Sequence, residues 1–189
     1  YGQGEPLILL HGGLGLIEMM SGGLTELAKE RQVIGVDLQG YGRTADIDRP
    51  IRYASCADDI AALLRYLGYA QADVMGYSFG GGVALRTAIQ HPALVRKLVL
   101  ISTPFRQAGW FPEIRESMNG LTGATAEFMR ETPMYQSYAA VAPQPEQAGS
   151  MLPFGVGQRH SRLHAQAQPV QRRFEHDAIV GGNGLDADA

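Results

Sequence analysis

Apolar residues follow two rhythms along this chain. Short unbroken runs, "PLILLHGG" (6–13), "QVIGVD" (32–37), "ADVMGYS" (72–78) and "KLVLIST" (97–103), read as strands buried on both faces, the usual state of parallel strands. Between them the spacing turns helical. Ile60, Leu63, Leu64 and Leu67 repeat at i, i+3, i+4 and i+7; Ser55 and Asp58 make an S-x-x-D helix start, and Gly68 stands where a C-terminal cap belongs. "LTELAKE" (24–30) completes a helix begun in the Met-rich stretch before it, and "FGGGVALRTAIQH" (79–91) is a helix closed by Pro92. This alternation predicts an α/β fold with a mostly parallel sheet and helices on both faces.

Composition narrows the picture. At 189 residues and 45% hydrophobic content, the chain is long enough for one sizeable core and a small accessory region. Its 24 glycines exceed the usual share of about 7%, which favours a loop-rich α/β enzyme over a helical bundle. With 16 basic and 19 acidic residues the net charge is −3, so no nucleic-acid partner is expected. Cys56 is the only cysteine, which excludes an internal disulfide and a thiolate metal cluster. It fits a reducing, cytoplasmic setting and is expected to be a small core residue. No apolar run reaches the roughly 18 residues of a membrane span, so no membrane partner is expected. The start, Tyr1-Gly2-Gln3-Gly4, has neither an initiator Met nor a basic leader, and is expected to be a cut end.

Two glycine-rich turns carry candidate chemistry. Gly13-Leu14-Gly15 after the first strand, with Asp37 ending the second, resembles a dinucleotide fingerprint in which the acid binds a ribose, and would make the protein a nucleotide-dependent oxidoreductase. Against this, the third fingerprint glycine falls on Glu18, whose carboxylate at a helix start would repel a pyrophosphate. Gly76-Tyr77-Ser78-Phe79-Gly80 matches G-x-S-x-G between a predicted strand and a predicted helix, the setting of a nucleophile elbow. The plainer alternative is that Ser78 caps the helix beginning near Phe79. A serine nucleophile needs a histidine to take its proton and a carboxylate to hold that histidine's tautomer.

From Gly4 to about Thr103 the chain resembles the α/β-hydrolase fold family, specifically its small serine esterase, lactonase and haloperoxidase-like members. Three motifs in the family's order carry the resemblance: His11-Gly12-Gly13, Asp37-Leu38-Gln39-Gly40-Tyr41-Gly42-Arg43-Thr44, and the turn around Ser78. The resemblance implies a nucleophile at Ser78 and an oxyanion hole made by the backbone N–H groups of Phe79 and Gly13. It also implies structural roles for His11, Asp37 and Arg43, no cofactor, and a small ester or lactone as substrate. With Ser instead of Asp at the elbow, the chain departs from the related dehalogenases and epoxide hydrolases.

The expected partition is a core over 1–103, a helical cap over 104–142 and an atypical tail over 143–189. Phe105, Trp110, Phe111, Phe128, Tyr135 and Tyr138 suit either an acyl-pocket lid or ordinary core filling. His91, at a helix end before Pro92, is expected to cap a carbonyl. The family order places a further strand and the acid's loop next; only "AIVGGNGLDADA" (178–189) faintly resembles them, which would make Asp186 or Asp188 the triad acid, and the histidine expected after it does not follow. His160, His164 and His176 all precede that acid, and their spacing lacks a helical metal-binding pattern. The Arg, Gln and His bias of 158–178 reads as a shifted frame or a chimeric join, since a sheet ending at "LVLIST" would leave a bare apolar edge. The alternative function is therefore a catalytically incomplete hydrolase fragment. Nothing in the sequence specifies an oligomeric state.

Overall fold

Strand β1 (Glu5–Leu10) is apolar at every position from Leu7 to Leu10, and both faces of the sheet bury it. Leu7 and Leu9 point into a cluster with Ile17, Leu24 and Val33. Ile8 and Leu10 point into a larger one with Ile60, Leu64, Val74 and Val83. Each such side chain contributes about 2 kcal/mol by leaving water. The computed structural model describes residues 1–105, 109–119, 130–145 and 179–181. Its remaining strands are β2 (Arg31–Val36), β3 (Ala72–Tyr77), β4 (Val95–Ile101) and β5 (Ile179–Gly181), all parallel, in the order β2-β1-β3-β4-β5.

Helix α1 (Ser21–Leu27), entered through a 3-10 turn (Ile17–Met20), covers one face; α2 (Tyr53–Tyr66) and α3 (Phe79–Gln90) cover the other. The expected layering is thus observed. Cys56 is fully buried on α2, and burial pushes its thiol up to about 12, so it is an inert core residue. At the C-terminus of α2, Gly68 at φ 78° donates to the Arg65 carbonyl (3.1 Å) and Tyr69 N–H to that of Leu64 (3.0 Å), a Schellman pair.

The S-x-x-D start is corrected. Helix α2 begins two residues earlier, after an extended Arg52, and the Ser55 hydroxyl turns back to the Arg52 carbonyl (3.2 Å) instead of capping. Strand β4 begins and ends earlier than its apolar run suggests, because Ser102 takes φ 50° and turns the chain away. The sheet does not stop at "LVLIST": the faint strand signal at 178–189 is realised in β5, which pairs with β4 through Val99↔Ile179, Leu100↔Val180 and Ile101↔Gly181.

In the segment expected to form the cap, α4 (Pro112–Asn119) and α5 (Pro133–Ala139) both start on proline, which suits the first helical position. The Thr132 hydroxyl caps α5 by accepting the Tyr135 N–H (3.3 Å). Tyr138 is buried in the main core, whereas Phe111 is 63% exposed, so the segment's aromatics divide between core filling and open surface. Phe128 lies outside the described residues. No described helix is long and apolar enough to cross a membrane.

One buried carboxylate ties the amino edge of the sheet together. Asp73 of β3, 4% exposed, takes Arg96 of β4 in a two-pronged bond (2.8 and 3.0 Å) and Arg31 of β2 at 2.8 Å; Arg96 also reaches Glu5 of β1. Four strand starts are clamped there. The glycine turns and the candidate serine lie at the opposite, carboxyl edge.

Candidate active site

Chain direction reverses abruptly at Ser78. It has φ 50° and ψ −114°, a left-handed conformation that costs a non-glycine residue about 1–3 kcal/mol and persists only where the surroundings hold it. The hold is visible. Ser78 N–H donates to the Ile101 carbonyl (2.9 Å), while the Ser78 carbonyl accepts Gly82 N–H (3.1 Å) and the Thr103 hydroxyl (2.8 Å). A Cβ at Gly76 would strike the Gly80 carbonyl, and one at Gly80 would lie 2.6 Å from the Leu10 oxygen. Strand, helix and β1 therefore close on one another only because both positions lack a side chain. The half-buried Ser78 makes no side-chain cap bond to α3, so the helix-cap reading of this serine is corrected.

The loop after β1 lies against this turn. A Cβ at Gly12 would stand 3.4 Å from the Ser78 Cβ and 2.9 Å from the Tyr77 ring. Gly13, the next residue, is thereby carried to the same edge as Phe79, the first residue of α3. Leu14, Ser78 and Ser102, the non-glycine residues of positive φ among those described, follow β1, β3 and β4 at this edge. The Phe79 ring is buried against Tyr53 and Tyr41.

His11 holds the loop and is structural, as expected. It is 1% exposed; its Nε2 accepts the Leu38 N–H (3.1 Å), which leaves Nδ1 to carry the proton and donate to the Gly12 carbonyl (2.7 Å). Burial holds the imidazole below its ordinary value of 6.5, against the smaller opposing pull of the Gly12 carbonyl, Asp37 and Glu18. Between the depressed folded pKa and 6.5 the unfolded chain binds the extra proton, so this contribution is fully present above about pH 6.5 and falls as the pH drops below it. Urea midpoints measured between pH 7.5 and 5.5 should show this loss, at most about 1.4 kcal/mol per pH unit, and His11→Gln should flatten it. An unchanged slope in the variant would assign the pH dependence to other groups.

The remaining candidates separate. Asp37 accepts Ile17 N–H (2.9 Å) and Arg43 N–H (3.0 Å), and Arg43 also pairs with Glu18 (2.6 Å). Its carboxylate is committed to the loop, so the oxidoreductase reading loses its ribose acid. His91 does not cap a carbonyl with its ring: Nε2 pairs with Asp58 Oδ1 on α2 (2.8 Å), a correction that follows from the packing of α3 on α2. His160, His164, His176, Asp186 and Asp188 lie outside the described residues. Thr103 was not singled out in the sequence because 97–103 read as one strand, and no local pattern marks the turn that Ser102 makes at φ 50°.

A parallel α/β sheet with a strained serine between strand and helix, beside a glycine loop after the first strand, defines the class. The chain belongs to the alpha/beta hydrolase fold family, whose family model matches residues 5–170. Over 131 residues it is 37% identical to 2-hydroxymuconate semialdehyde hydrolase of Pseudomonas sp. strain CF600, an overlap of 67% of this chain and 45% of that protein. The matches to this and the next curated relatives span less than half of their length. Its fold is similar to that of a thermophilic esterase from Thermogutta terrifontis (TM-score 0.67, 22% identity, 95% of this chain and 80% of that one). It is also similar to an N-acyl homoserine lactonase (TM-score 0.65, 24% identity, 88% and 68%).

Proposed function

We propose that this chain is a serine hydrolase of carboxylic esters or lactones, working through an acyl-enzyme. The observation that carries the reading is Ser78 itself: a non-glycine residue held at φ 50° between β3 and α3, its hydroxyl not spent on capping. Ser78 Oγ attacks the substrate carbonyl carbon, the π pair moves onto oxygen, and the Phe79 and Gly13 N–H groups receive that charge. The Ser78 proton passes to a histidine and on to the leaving alcohol; water then hydrolyses the acyl-serine. Phe79 N–H stands at the first position of α3, where no acceptor exists inside the helix, which suits it to an external oxyanion. The parallel direction of β5 supports Asp186 as the acid, since the chain leaves Gly181 at the same edge as Ser78.

The second reading, a catalytically incomplete hydrolase, is favoured by one observation: His11 and His91, the two described histidines, are bonded elsewhere. Within residues 1–189 the histidines left for the role of base are His160, His164 and His176. A fluorophosphonate probe with peptide mapping, run beside turnover of an aryl ester, an N-acyl homoserine lactone and 2-hydroxymuconate semialdehyde, separates the readings. Labelling of Ser78 in preference to Ser21, Ser55, Ser102 or Ser117, with ester or lactone turnover, is the expected result. Labelling without turnover favours the incomplete form, and an active preparation labelled elsewhere with Ser78 untouched overturns the assignment.

A further inference from the structure

We propose that Thr103 is a positioning residue that aims the Phe79 N–H at the oxyanion, an inference that rests on the serine-hydrolase reading of this site. The Ser78 carbonyl and the Phe79 N–H belong to one planar trans peptide unit and point in opposite directions. Whatever fixes the carbonyl therefore fixes the donor. The Thr103 hydroxyl donates to the Ser78 carbonyl at 2.8 Å; the Ile101 carbonyl, at 3.1 Å, is the more distant of its two acceptors.

Two further features serve the same contact. Ser102 is exposed yet takes φ 50°, turning the chain out of β4 so that Thr103 faces the elbow. Gly81, whose absent side chain leaves Thr103 its place, is the other: a Cβ there would collide with the Thr103 Oγ1 and lie 2.8 Å from its Cβ. The third glycine of "GYSFGG" thus makes room for a residue of β4's exit, while the first turn of α3 closes on Gly76 and the end of β1 on Gly80. With Ser78 N–H bound to the Ile101 carbonyl at 2.9 Å, the exit of β4 holds the nucleophile's residue at both its amide and its carbonyl.

The test compares Thr103→Val, which keeps the shape and loses the hydroxyl, with Thr103→Ser, which keeps the hydroxyl, in the full 189-residue chain. An oxyanion donor acts in the transition state, so the valine variant should lose about tenfold in kcat and in fluorophosphonate labelling of Ser78 with KM nearly unchanged, and the serine variant should recover both. In parallel, NMR should show the Ser78 carbonyl carbon and Phe79 amide nitrogen shifts moved in the valine variant and restored in the serine variant. Unmoved shifts, or equal losses in both variants, overturn the proposal. Moved shifts together with no labelling of Ser78 even in the unsubstituted chain overturn the hydrolase reading instead, and leave Thr103 as the anchor of this peptide.

Discussion

Ser78→Ala should lower kcat for an aryl ester by at least about 10⁴-fold, the loss typical when a serine nucleophile is removed and only binding and the oxyanion hole remain. The fold should hardly change. The Ser78 side chain makes no cap bond, and the contacts that hold the turn, to Ile101, Gly82 and Thr103, all use its backbone. Alanine keeps that backbone and the same steric demand at φ 50°, so stability should move by no more than about 0.5 kcal/mol. Turnover and urea unfolding of the same preparation check both halves. A Ser78→Ala protein that still cleaves the ester within tenfold of the unsubstituted chain would remove Ser78 from the chemistry.

Gly80→Val should be severely damaging to folding, and turnover should disappear with it. The Cβ alone would strike the His11 carbonyl and stand 2.6 Å from the Leu10 oxygen and 2.8 Å from its carbonyl carbon. These are backbone atoms of the end of β1, itself fixed between β2 and β3, so they cannot swing aside as a flexible side chain would. Overpacking a core usually costs 1–3 kcal/mol; against rigid backbone, about 3 kcal/mol or more is expected. Gly22→Ala and Gly23→Ala supply the contrast, because an added Cβ at either meets nothing within 4 Å on α1. Each should be neutral or stabilising by up to about 1 kcal/mol. Unfolding midpoints of the three variants decide the matter: a Gly80→Val protein as stable and active as the parent would contradict the close approach of α3 to β1.

Elements defined by neighbours in the chain were legible without coordinates. Continuous apolar runs marked β1 to β4 to within a few residues, the Ile60–Leu67 spacing marked α2, and G-x-S-x-G between a strand and a helix singled out Ser78. Boundaries fared worse where a hydroxyl had two competing uses: Ser55 suits a helix cap by pattern, but its hydroxyl bonds back to the Arg52 carbonyl from within the helix. The three-residue β5 left only a faint strand signal within "AIVGGNGLDADA", too short for a rhythm of its own, and its pairing with β4 is what gives it a bounded range. His91 shows the same limit at the level of a side chain, since its partner Asp58 lies on a different helix.

By itself, then, the sequence determined the α/β layering, the family motifs and the residue on the elbow, because each depends on hydrophobic periodicity or turn chemistry acting over a few neighbouring residues. Tertiary structure alone decided what holds those pieces in working order. Ser78 is held by Ile101 and Thr103, His11 is set by Leu38, and Asp73 gathers Arg31 and Arg96 from two other strands. These contacts join residues more than twenty positions apart, and their geometry exists only after the strands have been laid side by side. A local pattern can specify that a strand forms and which side chains it buries, but not which distant carbonyl will lie opposite a given hydroxyl once it has formed.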